Sequence, residues 1–317
     1  MKRITVFTIC LFSIFSVLGC RTYNKNNIEE VKKPLVPKMK IALVMKTLTN
    51  PFFIEIENGA RKAEKELGVE LIVKTGAQET SIEQQIEIVE DLINLKVDGI
   101  VIAPVNAQDI IPVLKKAQDA KISIVNIDDK LDSVVCEKFG VKNVPFVSVN
   151  NENSAYLSAK FVSDMTSKPT KAAILEGIHG TDNSEKRKLG ALRAFKENKN
   201  ITVAAVETAH WKIDEAFNVT EKIFKSNPEV GVIFCANDMM ALGASEYVQR
   251  TGKQDVKIAG FDALAEVKEE INKGNIMVTV DQQPQQQGYK GVEYAYRLIK
   301  GEKVPIETTL PAKLINR

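Results

Sequence analysis

The sequence predicts an α/β protein of two lobes, each a doubly wound parallel sheet covered by helices. Short β-branched runs alternate with amphipathic segments from Lys40 onward, which is the pattern of parallel strands joined by crossover helices. The strands are nearly continuous in apolar residues, as a sheet buried on both faces requires. A length of 317 residues is too long for one ordinary core and suits two.

The elements alternate regularly in both halves of the chain. The first half is predicted as strand 41–45, helix 51–67, strand 70–73, helix 82–95, strand 99–103, helix 107–120 and strand 122–127. After Pro145 the pattern restarts with a helix from 152, strand 172–175, a helix to 195, strand 202–206, a helix from 214, strand 230–235, a helix from 237 and strand 257–261. The stretch VTVDQQP at 278–284, a helix ending near 300 and a last strand near 310 follow.

Two short repeats predict that the halves are copies. Residues 59–63 (GARKA) resemble residues 190–194 (GALRA) at an offset of 131 (190 − 59), and residues 98–102 (DGIVI) resemble residues 230–234 (VGVIF) at 132 (231 − 99). Two independent pairs with nearly the same offset favour duplication over chance.

We therefore expect a first lobe of residues 39–149 plus 283–303 and a second lobe of residues 150–281 plus 304–317. The chain is expected to cross between them near Val149–Asn150, Asp281–Gln282 and Lys303–Val304, and these crossings are expected to act as a hinge.

The N-terminus predicts export. Lys2 and Arg3 precede an apolar run at 4–18 that is too short and wrongly flanked for a spanning helix, so residues 1–19 are expected to be a signal peptide. The run ends in VLGC, which resembles the lipobox of bacterial lipoproteins and predicts lipid attachment at Cys20. Residues 20–38 would form a polar tether. We expect an extracytoplasmic, membrane-anchored lipoprotein, with an ordinary secretory leader as the alternative.

Composition argues against several classes of function. Loss of Lys2 and Arg3 with the leader leaves 41 of the 43 basic residues against 41 acidic ones, whereas a nucleic-acid surface needs clustered positive charge. Cys136, expected in a loop, and Cys235, expected at a strand end, are predicted to remain free thiols, with a disulfide between them as the alternative in an oxidising compartment.

The absence of catalytic motifs also argues against an enzyme. The sequence has no G-x-G-x-x-G after the first strand and no G-x-x-x-x-G-K-[ST], and it contains only His179 and His210 for a triad or a metal cluster. We expect no catalysis, no cofactor and no metal. A two-lobed transcription regulator would need a helix-turn-helix where the export signal lies.

Polar and aromatic residues follow the predicted strands, at the edge where open parallel sheets bind ligands. They are Lys46, Asp128, Trp211, Asn237, Asp262 and Gln282, with Asn50, Phe52 and Phe53 opening the first helix. Carboxylates, amides and cations can bond neighbouring sugar hydroxyls, and rings pack on the C–H faces of a sugar. The pattern predicts a monosaccharide site. Structural alternatives exist: helix caps for Asn50 and Asn237, core packing for Trp211 and a solvated turn at Asp128–Asp129.

At these residues the chain resembles the periplasmic sugar-binding proteins of the ribose, allose and galactose group, which serve ABC importers. The resemblance covers residues 39–315 and lies in KTLTNPFF (46–53), VNID (125–128), CANDMMALG (235–243), GFD (260–262) and QQP (282–284). It implies the type I periplasmic binding protein fold, a monomer, and the permease and ATPase subunits of a transporter as partners. A sugar sensor serving a chemoreceptor or a sensor kinase is the alternative.

The resemblance also implies roles for individual residues. Ligand hydroxyls would be bonded by Asn50, Asp128, Arg187, Asn237, Asp262 and Gln282, and the sugar ring would lie between Phe53, Trp211, Phe52 and Phe261. Arg187 is reached through the resemblance alone. Lys46 with the run Asp128-Asp129-Lys130 is similar to D-allose receptors, whereas ribose receptors typically carry serine in place of Lys46 and arginine in place of Asp129. The resemblance therefore also implies ligand contacts for Lys46, as a donor, and for Asp129, as an acceptor. A hexose or a related ketose is therefore favoured over ribose.

Overall fold

The computed structural model describes residues 38–253 and 255–317. The predicted export signal, Cys20 and the tether up to residue 37 lie outside the described residues. Within the two described ranges, no helix has both the length and the apolar character needed to cross a membrane.

The first sheet contains six strands, numbered in chain order: β1 Lys40–Met45, β2 Glu70–Thr75, β3 Gly99–Ile102, β4 Ser123–Ile127, β5 Phe146–Val149 and β11 Glu307–Leu310. They pair in parallel in the order β11-β5-β4-β3-β1-β2. The helices that pack with this sheet form the first lobe with it: α1 Pro51–Leu67, α2 Ile82–Asn94, α3 Ile111–Asp119, α4 Ser133–Phe139 and α10 Pro284–Ile299.

The second sheet repeats the arrangement with β6 Thr170–Glu176, β7 Ile201–Thr208, β8 Val230–Cys235, β9 Lys257–Ala259, β10 Val278–Asp281 and β12 Lys313–Asn316. The order is β12-β10-β9-β8-β6-β7, and only the β10–β12 pairing in this sheet is antiparallel. The second lobe adds α5 Asn151–Asp164, α6 Asp182–Lys196, α7 Ile213–Ser226, α8 Asp238–Arg250 and α9 Ala265–Lys273. The predicted fold class, two doubly wound parallel-sheet lobes, is confirmed.

Strand β1 shows why the strands are apolar throughout. Ile41 and Leu43 lie in a core that also contains Ile56 of α1, whereas Ala42 belongs to a separate core with Leu92 of α2. Because successive side chains point to opposite faces of a sheet, a strand covered on both sides needs an apolar residue at every position.

The last crossing of the chain lies further along than predicted. Strand β11 pairs in parallel with β5 of the first sheet, and β12 pairs with β10 of the second. Residues 307–310 therefore belong to the first sheet, and the crossing expected near Lys303–Val304 lies at residues 311–312. The sequence could not reveal this, since one last strand near residue 310 was expected where the structure has two.

Cys136 lies in a helix and not in a loop, contrary to the prediction. Asp132 caps α4 by accepting hydrogen bonds from the backbone N–H groups of Val134 and Val135, both at 2.9 Å. The helix ends at Gly140, whose φ of 71° is left-handed. Cys136 and Cys235 are both free thiols, as expected.

The repeated glycines occupy equivalent helix contacts in the two lobes. A Cβ atom on Gly59 of α1 would lie 1.9 Å from the backbone oxygen of Gln285 in α10, and one on Gly190 of α6 would lie 2.2 Å from that of Glu152 in α5. Both glycines therefore allow two helix backbones to touch. The sequence repeat thus marks one close helix contact in each lobe.

Substituting either glycine should separate its helix pair. We expect Gly59→Ala and Gly190→Ala each to lower the free energy of unfolding by about 3 kcal/mol, because the added methyl group meets backbone that cannot rotate away. Urea unfolding measures this loss. The control is Gly252→Ala, where a Cβ meets nothing within 4 Å and only the left-handed φ of 69° is unfavourable, at about 1 kcal/mol. Equal losses in all three variants would contradict the close-packing role.

Candidate functional site

A cavity lies between the two lobes at the carboxyl ends of the strands. Its lining residues are Lys46, Asn50, Phe52, Phe53, Glu79, Asp128, Asn183, Arg187, Trp211, Asn237, Asp262 and Gln282. Ten of the twelve residues predicted from the sequence are in this set. The other two, Asp129 and Phe261, are buried behind it.

Three of the lining residues have left-handed backbone. The φ angles are 65° for Asp128, 67° for Trp211 and 125° for Asp262. Such conformations are unfavourable for residues with a Cβ and concentrate at functional sites. The loop of Asp128 is held from behind, because Ser148 donates a hydrogen bond to its backbone oxygen at 3.0 Å and Asn126 donates to that of Asp129 at 2.8 Å.

Lys46 and Asp128 form a buried ion pair on the first-lobe side. The ammonium nitrogen lies 2.9 Å from a carboxylate oxygen, and neither side chain is more than 4% exposed. Burial acts to lower the pKa of Lys46, but the carboxylates of Asp128, Asp129 and Glu79 outweigh burial and raise that pKa above its ordinary value. Lys46 therefore stays charged and leaves donors free for a ligand.

Arg187 organises the second-lobe side. Its guanidinium donates to the side-chain oxygen of Asn151 and to the backbone oxygen of Ala236, both at 2.9 Å, and to the side-chain oxygen of Gln282 at 3.3 Å. It also lies 3.7 Å from Asp262 and 3.8 Å from the ring centre of Phe261. Phe261 thus supports Arg187, and it is absent from the cavity wall that the described residues form. The ring contact predicted for it stays a prediction.

Asp262 faces the cavity beside this guanidinium. Burial raises the pKa of Asp262 well above its ordinary value, although the Arg187 charge opposes the shift. Gln282 donates a hydrogen bond to the same carboxylate. The side chain of Gln282, at the point where the chain crosses between the lobes after β10, therefore bonds both Arg187 and Asp262.

Aromatic rings close the cavity from both lobes. Phe52 and Phe53 of α1 meet edge to face with ring centres 5.1 Å apart. Trp211 lies opposite, on the second lobe, and its indole rests on Gly177, where a Cβ would come within 1.9 Å of the ring. Both the core-packing and the cleft-facing alternatives for Trp211 hold, because the side chain is 5% exposed and still lines the cavity.

Asn50 and Asn237 are helix caps that also line the cavity. Asn50 accepts from the backbone N–H of Phe52 at 3.1 Å, and Asn237 accepts from that of Met240 at 2.9 Å. Their amide nitrogens donate to Glu79 and to the Trp211 backbone oxygen. Each NH₂ group has two hydrogens, so one donor on each remains for a ligand.

Glu79 and Asn183 line the cavity and were missed from the sequence. Glu79 lies in the loop after β2, four positions beyond Thr75, and Asn183 lies in the first turn of α6. A search limited to the first residue after each strand does not reach either one. Burial raises the pKa of Glu79, and the Lys46 charge opposes that shift.

Comparison with known proteins places the chain in a family. Residues 41–303 match the family model described as periplasmic binding protein domain. The D-ribose/D-allose-binding protein of Pseudomonas aeruginosa is 33% identical over 268 residues, which cover 84% of this chain and 83% of that protein. The D-allose-binding periplasmic protein of Escherichia coli K12 is 31% identical over 278 residues, covering 87% and 89%.

A solved structure agrees in fold. An ABC transporter periplasmic solute-binding protein from Actinobacillus succinogenes 130z, crystallised with bound D-allose, is 37% identical with a TM-score of 0.85, covering 88% of this chain and 98% of the other. The chain belongs to the periplasmic binding protein family, and its fold is type I of that family. The resemblance predicted from the sequence motifs is confirmed.

The sole tryptophan of the chain offers a direct test of the second-lobe wall. We expect Gly177→Ala to push the Trp211 indole out of its buried position, because the new methyl group overlaps the ring. Intrinsic fluorescence should shift to longer wavelength, and acrylamide should quench it more strongly. Gly180→Ala, in the same loop but with nothing within 4 Å, is the control. An unchanged spectrum for Gly177→Ala would contradict the described packing.

Proposed function

We propose that the protein is the extracytoplasmic substrate-binding lipoprotein of a carbohydrate ABC transporter, and that it binds one monosaccharide in the cavity between its lobes. The observation that carries this proposal is the composition of the cavity wall: two cations, carboxylates and amides from both lobes surround a small space bounded by Phe52, Phe53 and Trp211. Family membership supports an extracytoplasmic location.

The chemistry of the cavity wall supports a polyhydroxylated ligand. Each side chain in the wall that keeps a free donor or acceptor can bond a hydroxyl, and such buried groups would cost free energy if they stayed unpaired. A polyhydroxylated ring would pair these groups.

We favour a D-allose-like hexose or a related ketose, with ribose second. Lys46 and Asp128 form the charged pair that distinguishes this wall from the ribose pattern. The relative from E. coli is named for D-allose, and the relative from P. aeruginosa is named for both D-ribose and D-allose. The A. succinogenes structure holds the same sugar.

Binding would proceed by closure of the two lobes about their three chain crossings. Lys46, Asn50 and Asp128 belong to the first lobe, whereas Arg187 and Asn237 belong to the second, so only a closed arrangement offers both halves of the site. A ligand that contacts both halves shifts the population toward the closed form. Transporter subunits would then recognise that form.

The sugar is best identified with the mature protein in a thermal-shift screen of pentoses, hexoses, ketoses and polyols. A ligand at about one hundred times its Kd stabilises by about 2.7 kcal/mol. We expect Asn237→Ser, which keeps a helix-capping oxygen, and Asp262→Asn each to weaken binding by about 2 kcal/mol in calorimetry, because ligand hydroxyls lose partners. Asn58→Ser, exposed on α1, is the control. Unchanged affinity in both site variants would refute the site.

Lipid attachment needs its own test. We expect Cys20→Ala to abolish incorporation of radioactive palmitate in bacterial cells and to move the protein from the detergent phase to the aqueous phase in Triton X-114, because an acyl chain supplies membrane affinity. Cys136→Ala is the control and should leave labelling unchanged. Labelling that persists in Cys20→Ala would favour an ordinary secretory leader.

A further inference from the structure

Asp129 is fully buried and joins the two lobes. It lies in the loop after β4 of the first lobe, and its carboxylate accepts a hydrogen bond from the backbone N–H of Asn183, at 3.1 Å, in the first turn of α6. It is absent from the wall of the cavity that the described residues form. The contact role predicted for Asp129 therefore does not fit its position.

Helix α6 lacks a side-chain cap from its own lobe. Thr181 occupies the capping position but makes no capping hydrogen bond; its hydroxyl bonds the backbone oxygen of Ile178 and the side chain of Asn183 instead. The first N–H groups of a helix need acceptors, and a carboxylate is favoured there. Asp129 supplies that acceptor from the other lobe.

We propose that Asp129 is a positioning residue that holds the lobes together, by capping α6 across the cleft, and is not a ligand contact. The Asp129–Asn183 hydrogen bond is called the interlobe bridge below. The proposal rests on the proposed function in one respect, namely that sugar binding and lobe closure are coupled. Opening the lobes would break the bridge and leave α6 uncapped.

The carboxyl group of Asp129 should also make closure of the lobes depend on pH. Its second carboxylate oxygen is buried without a hydrogen-bond partner. The charged groups that face it are Lys46 at the end of β1, Asp128 in its own loop and Asp182 in α6; Lys130, next along the chain, pairs with Glu307 instead. Burial raises the pKa of Asp129 to about 6, with Lys46 opposing the shift.

The sign of the pH effect follows from this shift. In an open form the carboxyl would be solvated and its pKa would be about 3.9. The closed form therefore retains a proton that the open form releases. The stabilisation that this proton adds to that of the bridge itself is complete below about pH 4 and is lost as the pH rises through 6. D-allose should bind about tenfold more tightly at pH 5 than at pH 7.5 through this group.

Three variants separate the bridge from a ligand contact. In calorimetry with D-allose at pH 7.5, we expect Asp129→Ala to weaken binding five- to tenfold, whereas Asp129→Asn, which keeps the acceptor oxygen, should bind at least as tightly as the wild type. Asp132→Ala is the matched control, because it removes a helix-capping aspartate whose partners lie within the first lobe. Equal weakening in Asp129→Ala and Asp129→Asn, or in Asp129→Ala and Asp132→Ala, would overturn the proposal.

The same titrations at pH 5 test whether Asp129 binds the proton that the closed form retains. Glu79 and Asp262 also have raised pKa values, so some pH dependence persists in every variant. We expect Asp129→Asn to lose about tenfold of the wild-type change between pH 5 and pH 7.5. A pH profile identical to that of the wild type would overturn the assignment of the proton to Asp129.

Pulsed electron paramagnetic resonance tests closure without relying on affinity. Nitroxides at Val134→Cys in the first lobe and Leu189→Cys in the second, both on exposed side chains and with Cys136→Ser, report the distance between lobes. Asp129→Ala should shift ligand-free protein at pH 5 toward longer distances. If D-allose does not bind the wild type, the proposed sugar is wrong. The interlobe bridge is still tested in that case, because the distance shift is measured without ligand. Identical distributions would overturn the bridge.

Discussion

The site depends on the cost of enclosing charge between two lobes. Among the described residues, the carboxyl groups of Glu79, Asp128, Asp129 and Asp262 share the region with the cations Lys46 and Arg187. Unpaired charge in such a place is unfavourable by several kcal/mol. The interlobe region responds by pairing Lys46 with Asp128, by placing Arg187 near Asp262, and by raising the pKa of carboxyls that have no full partner. Because each lobe supplies part of this balance, the charges fit together only when the lobes meet.

The duplicated fold brings these groups together. Both sheets use the same strand order, so the carboxyl ends of β1 and β4 face those of β6, β8 and β9 across the cleft. Parallel sheets place ligand-binding loops at that edge. Left-handed backbone at Asp128, Trp211 and Asp262 turns the chain sharply there and aims their side chains inward. The regular strands thus hold the binding loops in fixed positions, and the left-handed residues set the direction of the side chains.

Most residues of the candidate site were predictable from the sequence, because the ends of apolar strands are recognisable there. Lys46, Asp128, Asn237 and Asp262 follow apolar runs directly, and all line the cavity. Glu79, Asn183 and the true role of Asp129 were not predictable, since they depend on which loop of one lobe meets which helix of the other. The crossing after β11 was missed for a related reason: 307–310 and 313–316 are short polar-edged strands whose partners are distant in the chain.

Helices α5 and α10 have a consequence for the order of folding. Each follows directly on a strand of one sheet and packs on the other: α5 comes after β5 and covers the second sheet, and α10 comes after β10 and covers the first. Residues 284–299 are near the C-terminus, yet α1, β3 and β4 rest against them. During synthesis the N-terminal half of the chain therefore cannot finish its hydrophobic core until almost the whole polypeptide has been made, which keeps apolar surface exposed and available to chaperones for most of that time.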